Sequence, residues 1–114
     1  MVNEILEAVN ILFRETRFPD PPDSTYAVFM ESRTMDAADR VPVVSGNKLP
    51  GVVTCDVTIE LYAPTRDRET ETAIEEQLMA HGLSWTKQEA YWLEKIQRYQ
   101  TIYEFTYYEK GGMT

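Results

Sequence analysis

One histidine, one cysteine and nineteen carboxylates are the residues of this chain most able to do chemistry. Cys55 lies in the middle of an alternating, strand-like run, and His81 falls near the end of a helical one. A Cys–His nucleophile pair needs the two side chains within hydrogen-bond reach, and nothing in their flanking residues brings them together. The simpler reading is a buried thiol that packs as a small hydrophobe and a histidine at the negative end of a helix dipole. A zinc site takes three or four Cys, His or carboxylate ligands, and the chain has no CxxC and no second histidine. The phosphate-cradling patterns GxxxxGK[ST] and GxGxxG are missing as well. Glu69, Glu71, Glu75 and Glu76 crowd one helical stretch, where the periodicity predicts a solvated acidic face. Catalytic acids need a desolvated pocket. Residue chemistry therefore points to a non-enzymatic, cofactor-free domain that works by binding.

Charge narrows the partners. Among 114 residues, 19 acidic side chains against 11 basic ones give a net charge of -8. Affinity won by neutralising phosphates requires clustered Lys and Arg, so specific nucleic-acid binding is not expected. A single cysteine allows no intrachain disulfide, which fits a reducing, cytoplasmic home. The first residues, Met1-Val-Asn-Glu-Ile-Leu-Glu7, carry acids where a secretory signal has a basic start and an apolar run. No stretch approaches the roughly 18 apolar residues of a membrane span.

The elements that must position these residues follow from periodicity. Val2, Ile5, Leu6, Val9, Leu12 and Phe13 recur at amphipathic spacing and predict a helix over 2–15, with Ile11 off its apolar stripe. Pro19-Asp-Pro-Pro-Asp-Ser24 ends it. Residues 26–32 read as a strand apolar on both faces, Tyr26, Val28 and Met30 on one and Ala27 and Phe29 on the other. Such a strand is covered twice, here by the first helix and by a second copy of the protein. Residues 33–51 lack sustained periodicity and predict a long loop or protruding hairpin, with Val41–Val44 as a short extended arm. Val53, Cys55, Val57, Ile59 and Leu61 alternate cleanly with polar residues over 52–62, the pattern of a half-buried antiparallel strand.

An acidic helix over about 67–81 comes next, with Thr65 or Asp67 as its N-cap and Gly82 just past its end. Its buried stripe is narrow, built on Ala73, Ile74 and Leu78. Residues 84–92 predict a strand with Trp85 and Tyr91 on one face and Ala90 and Trp92 on the other, although 86–98 also suits a helix. The last strand, 99–109, places Tyr99, Thr101, Tyr103, Phe105 and Tyr107 on one face. One α+β domain over 1–114 results: a mostly antiparallel sheet covered by an N-terminal amphipathic helix and a second, short acidic helix.

With this order of elements in place, the chain resembles small tail and neck proteins of long-tailed bacteriophages and prophages, in particular the tail-terminator (head–tail joining) group. The likeness rests on the first helix followed by Thr25-Tyr-Ala-Val-Phe-Met30, on Cys55-Asp-Val-Thr-Ile-Glu-Leu-Tyr62 before an acidic helix, and on Lys87-Gln-Glu-Ala-Tyr-Trp-Leu-Glu-Lys95 leading to Tyr99-Gln-Thr-Ile-Tyr-Glu-Phe-Thr-Tyr107. It spans nearly the whole chain. The resemblance implies a structural protein that forms a ring, typically a hexamer, on the tail tube and meets neck proteins. Assembly would take place in the host cytoplasm and the product would reside in the virion. A closed ring needs a heterologous interface, for which Ile11, Phe29, Val41, Val43, Val44 and Leu49 are the candidates. Gln100, Glu104 and Thr106, on the polar face of the last strand, are candidates for a lumen or partner surface. An acidic lumen would repel passing DNA and leave it free to slide. Two other readings are another neck or minor capsid component and, in a different class, an acidic DNA-mimicking inhibitor.

Overall fold

The computed structural model describes residues 1–35 and 51–111. Its elements are α1 (Val2–Val9), β1 (Leu12–Glu15), β2 (Tyr26–Met35), β3 (Gly51–Ala63), α2 (Arg68–Ala80), β4 (Trp85–Leu93) and β5 (Arg98–Gly111). The strands form one sheet in the order β1-β2-β3-β5-β4. Every pairing is antiparallel except that of β1 with β2. The α+β class read from the sequence is the class observed.

Side-chain alternation divides the sheet into two unlike faces. Odd-numbered residues of β2, β3 and β5 share one face, as the registers Phe29↔Ile59 and Ile59↔Tyr103 require. On it Ala27, Phe29, Cys55, Val57, Ile59, Leu61, Tyr103, Phe105 and Tyr107 are buried against Val2, Ile5 and Leu6 of α1 and Ile74 and Leu78 of α2. Both helices lie on this face. Each large side chain so covered contributes about 1.5–3 kcal/mol relative to exposure, which makes this layer the main source of stability.

α2 begins and ends as its sequence suggests. Asp67 caps it by accepting from the Thr70 amide at 3.0 Å and the Thr70 hydroxyl at 2.8 Å. Thr25 donates to the same carboxylate at 2.8 Å and ties the start of β2 to the helix. Burial alone would raise the Asp67 pKa, but these hydrogen bonds outweigh it and hold the group below the usual carboxylate range. At the far end Gly82, at φ 70°, lets Leu83 donate to the Leu78 carbonyl at 3.0 Å.

The N-terminal helix is shorter than its periodicity predicts. It stops at Val9, because Asn10 takes the left-handed conformation (φ 65°, ψ 46°) and turns the chain. The apolar residues beyond it serve a strand: Ile11 and Phe13 pack against the core, Phe13 sits 6.3 Å from the Phe29 ring, and Leu12 is exposed. Spacing of three to four and spacing of two coincide over so few residues, and pairing with the edge of β2 decides between them.

β2 is longer than expected, running to Met35 and pairing with β3 from Tyr26↔Tyr62 to Met35↔Val53. The first part of its second apolar face, Tyr26 and Val28, is buried by the chain itself, whereas Met30 is exposed. Phe18, in the connection from β1, packs edge-on against Tyr26 at 5.3 Å, and Tyr26 stacks on Tyr62 at 5.1 Å. No second copy is needed to bury Tyr26. Residues 84–92 are a strand and not a helix, but an irregularity between Gln88 and Tyr91 changes their faces. Trp85 pairs with Phe105 on the helix side, whereas Tyr91 pairs with Gln100 on the opposite side, so the two do not share a face. Gln97 closes the β4–β5 hairpin at φ 56°, a position where glycine is the commoner choice.

Candidate functional site

The face of the sheet away from the helices is the surface with most to offer a partner. Its central strands present Thr54, Asp56, Thr58, Glu60 and Tyr62 from β3, and Gln100, Ile102, Glu104, Thr106 and Tyr108 from β5. Asp56 and Glu104 are exposed and Glu60 is half-buried. Between 54 and 62 on β3 and between 100 and 108 on β5, this face carries these three carboxylates and no cation. The nine residues from 54 to 62 extend about 27 Å at strand rise. The result is a threonine-rich, negatively charged strip.

Hydrogen bonds fix its side chains across the strands. Thr106 Oγ1 donates to Asp56 Oδ1 at 2.7 Å. Gln100 Nε2 donates to the Tyr62 hydroxyl at 2.9 Å, and Tyr62 donates to Glu60 at 3.0 Å. Burial pushes the Tyr62 phenol up to about 12; the Gln100 bond works against this and the Glu60 carboxylate adds to it. Tyr62 therefore remains a neutral donor at any physiological pH, and Glu60 stays oriented along the strip.

Of the residues read from the sequence as a partner face, the structure brings Gln100, Glu104 and Thr106 onto this one surface. Glu104 is exposed and Thr106 half-exposed, while Gln100 is buried beneath Tyr62 and Tyr91 is its cross-strand neighbour. Asp56 and Glu60 join them through the register Asp56↔Thr106 and Glu60↔Ile102. The alternation of 52–62 already placed them on a polar face; their pairing with the last strand came from the fold. The proposed interface residues fare differently. Phe29 is buried in the protein's own core at 6% exposure, and Ile11 packs against that core, so neither presents an open surface. Both point inward because odd positions of β1 and β2 face the helices. Val41, Val43, Val44 and Leu49 lie outside the described residues.

A second polar cluster sits under α2, on the helix-covered face. Glu71, expected on the solvated side of the helix, is instead 3% exposed. Its carboxylate meets Arg66 Nε at 2.8 Å and Lys87 Nζ at 2.9 Å. Lys87 also pairs with Glu75 at 2.8 Å, Arg66 with Glu89 at 3.0 Å, and Tyr103 donates its hydroxyl to Glu75 at 2.7 Å. Burial by itself would raise the Glu71 pKa, but the hydrogen bonds and charges of Arg66 and Lys87 more than offset it and leave the carboxyl below its usual range. Lys87 is held above its ordinary value: burial opposes this, and the Glu75 and Glu71 carboxylates prevail. The Tyr103 phenol is raised by burial and then by Glu75. Each of these groups has its partner, so the cluster fastens helix to sheet and has no free base or acid to offer a substrate.

The thiol and the imidazole stay apart in role. Cys55 is fully buried beneath the helices, and His81 is exposed at the end of α2. Among the described residues no group of three or more His, Cys, Asp or Glu is arranged to hold a metal ion. No described helix is long and apolar enough to cross a membrane. No protein-family profile matches the sequence, and no curated protein matches it with significance.

Proposed function

We infer that this protein is a structural subunit of a long-tailed phage or prophage, a tail-terminator or head–tail joining protein that acts as a ring on the tail tube. The observation that carries the reading is the division of the sheet into a helix-buttressed face and an open one, whose centre bears Asp56, Glu60 and Glu104 while the cations Arg14 and Arg98 lie toward its flanks. A ring with the helices outward and this strip inward would give a lumen that repels the phosphate backbone at every rotation, so that DNA slides instead of sticking. The Thr106–Asp56 and Gln100–Tyr62–Glu60 hydrogen bonds would hold the side chains of such a wall in place.

The DNA-mimic reading draws less support. It needs helix carboxylates displayed like phosphates, and Glu71 and Glu75 are occupied by Arg66, Lys87 and Tyr103. The deciding experiment is the assembly state, by light scattering and negative-stain imaging, alone and with tail tubes. Rings, and overlong tails when the gene is disrupted, are the expected outcome. Unattached tails of normal length would assign the protein to another neck position, and a monomer even with tubes present would overturn the ring.

A further inference from the structure

Two large apolar side chains are left on the open face at the outer edges of the sheet: Leu12 of β1, 53% exposed, and Tyr91 of β4, 51% exposed. Exposed apolar residues standing singly are common and need no explanation. These two are related by position. The registers run Leu12↔Tyr26, Tyr26↔Tyr62, Tyr62↔Gln100 and Gln100↔Tyr91, so both lie in one row of side chains that crosses all five strands. The irregularity in β4 makes this match, because it turns Tyr91 to the open side.

A ring imposes a condition on such a pair. Rotation about its axis keeps every atom at its own height, so the two surfaces that meet between neighbours must lie level. With the open face inward and the mean strand direction along the axis, Leu12 and Tyr91 satisfy that condition. The geometry points to a side-by-side subunit contact in which Leu12 of one copy packs against Tyr91 of the next. This inference rests on the ring reading above and names its contact. The two flanks differ, so the joint is heterologous and repeats around the ring. It is made by side chains and not by a shared strand ladder. Arg14, Glu15, Lys87 and Glu89 guard the two edges. Sheet twist, about 20–25° per strand pair, also turns the edges across each other.

Charge favours a second copy as the occupant. Copies of a chain with net charge -8 repel one another, so a contact between them gains from a cation at the seam. The exposed Arg14 supplies it on the β1 flank. Its own row passes through Val28, Glu60 and Ile102 and ends at the exposed Gln88 of β4. The exposed Glu104 of β5 lies one row further along, about 7 Å away at strand rise. Leu12 and Arg14 of one copy thus face an aromatic ring, an amide and a carboxylate of the next.

Leu12→Cys and Tyr91→Cys test the contact. The two variants are mixed, alone and with tail tubes, treated with a short bismaleimide, and resolved on denaturing gels with the linked peptides identified by mass spectrometry. The unsubstituted protein, whose Cys55 is buried, controls for background. The expected result is a link between the two positions, about tenfold or more above the self-links of either variant. A chain carrying both substitutions should give a covalent ladder that ends at the ring number. Leu12→Glu should lower the yield of rings about tenfold or more, whereas Met79→Glu, at a 59% exposed position on α2 outside the row, should leave it unchanged. Self-linked Tyr91→Cys as the main product would overturn the proposal in favour of a two-fold contact. Rings seen by imaging with no link between the two positions, or formed equally well by Leu12→Glu, would overturn the contact and leave the ring standing. Monomers throughout, with tubes present, would remove both.

Discussion

Replacing Glu71 by glutamine tests whether the charged cluster under α2 holds helix to sheet. The substitution keeps the shape and one acceptor oxygen but removes the charge, and it turns an amide N–H₂ toward a cation. Glu71 accepts from Arg66 at 2.8 and 3.1 Å and lies 2.9 Å from Lys87 Nζ, in a site where its side chain is 4% exposed. Hydrogen bonds to charged groups contribute about 1.5–3 kcal/mol each, or roughly 3–6 kcal/mol for two cations. Both cations keep a second carboxylate, Glu89 for Arg66 and Glu75 for Lys87, and are themselves 27% and 21% exposed, which lessens the loss. A net destabilisation of about 2–4 kcal/mol follows, near the range for breaking a buried pair. At a mid-range slope of about 2 kcal/mol per molar urea, the unfolding midpoint should fall by about 1–2 M.

The same variant fixes a pH dependence. The folded-state pKa of Glu71 is depressed below the ordinary value of 4.5, so the folded protein binds this proton less tightly than the unfolded chain. Its contribution is complete above the unfolded carboxyl value and is lost as pH falls through the lower, folded one. Urea melts of both proteins between pH 7 and pH 3 should therefore show a gap that is widest at neutrality and shrinks on acidification. A gap under about 0.5 kcal/mol at pH 7, or one as large at pH 3 as at pH 7, would refute the assignment of Glu71 to a stabilising ion cluster.

Phe105→Ala, at a position 5% exposed between Val57 and Trp85, should cost about 3–5 kcal/mol in the same melts. Parental stability there would mean that the helix-side face of β5 is misassigned. Thr16 holds φ at 71°, an unfavourable conformation for a β-branched residue, while its amide donates to the Phe29 carbonyl at 2.7 Å. Thr16→Gly keeps that bond and relieves the backbone, so thermal melting should show a gain of about 0.5–1 kcal/mol; a loss would mean that the side chain matters more than the backbone. Asp56→Lys combined with Glu104→Lys, both at exposed positions, should leave urea stability within about 0.5 kcal/mol. In gel-shift assays the pair should create DNA retention that weakens steeply with salt, where the parent retains none. Equal behaviour of the two proteins toward DNA would remove the charge argument for a lumen.

What the sequence determined was whatever depends on local alternation and on strong end signals. The run 52–62 declares which side chains face inward, the aromatic positions 103, 105 and 107 declare the matching face of the last strand, and Asp67 and Gly82 mark the ends of α2. Each follows from a few neighbouring residues. The tertiary structure decided what depends on partners distant in the chain. Helical and strand spacing agree over 11–15, and only the free edge of β2 makes that stretch a strand. Glu71 reads as a solvent residue until Arg66 and Lys87, from the preceding loop and from β4, arrive to neutralise it. The irregularity after Gln88 sends Tyr91 to the face opposite Trp85, which no alternation count can show. The open acidic strip combines both kinds of information. Its residues were legible strand by strand, but a charged surface exists only once the register of β3 with β5 sets Asp56, Glu60 and Glu104 side by side, because electrostatic potential sums over space and not along the chain.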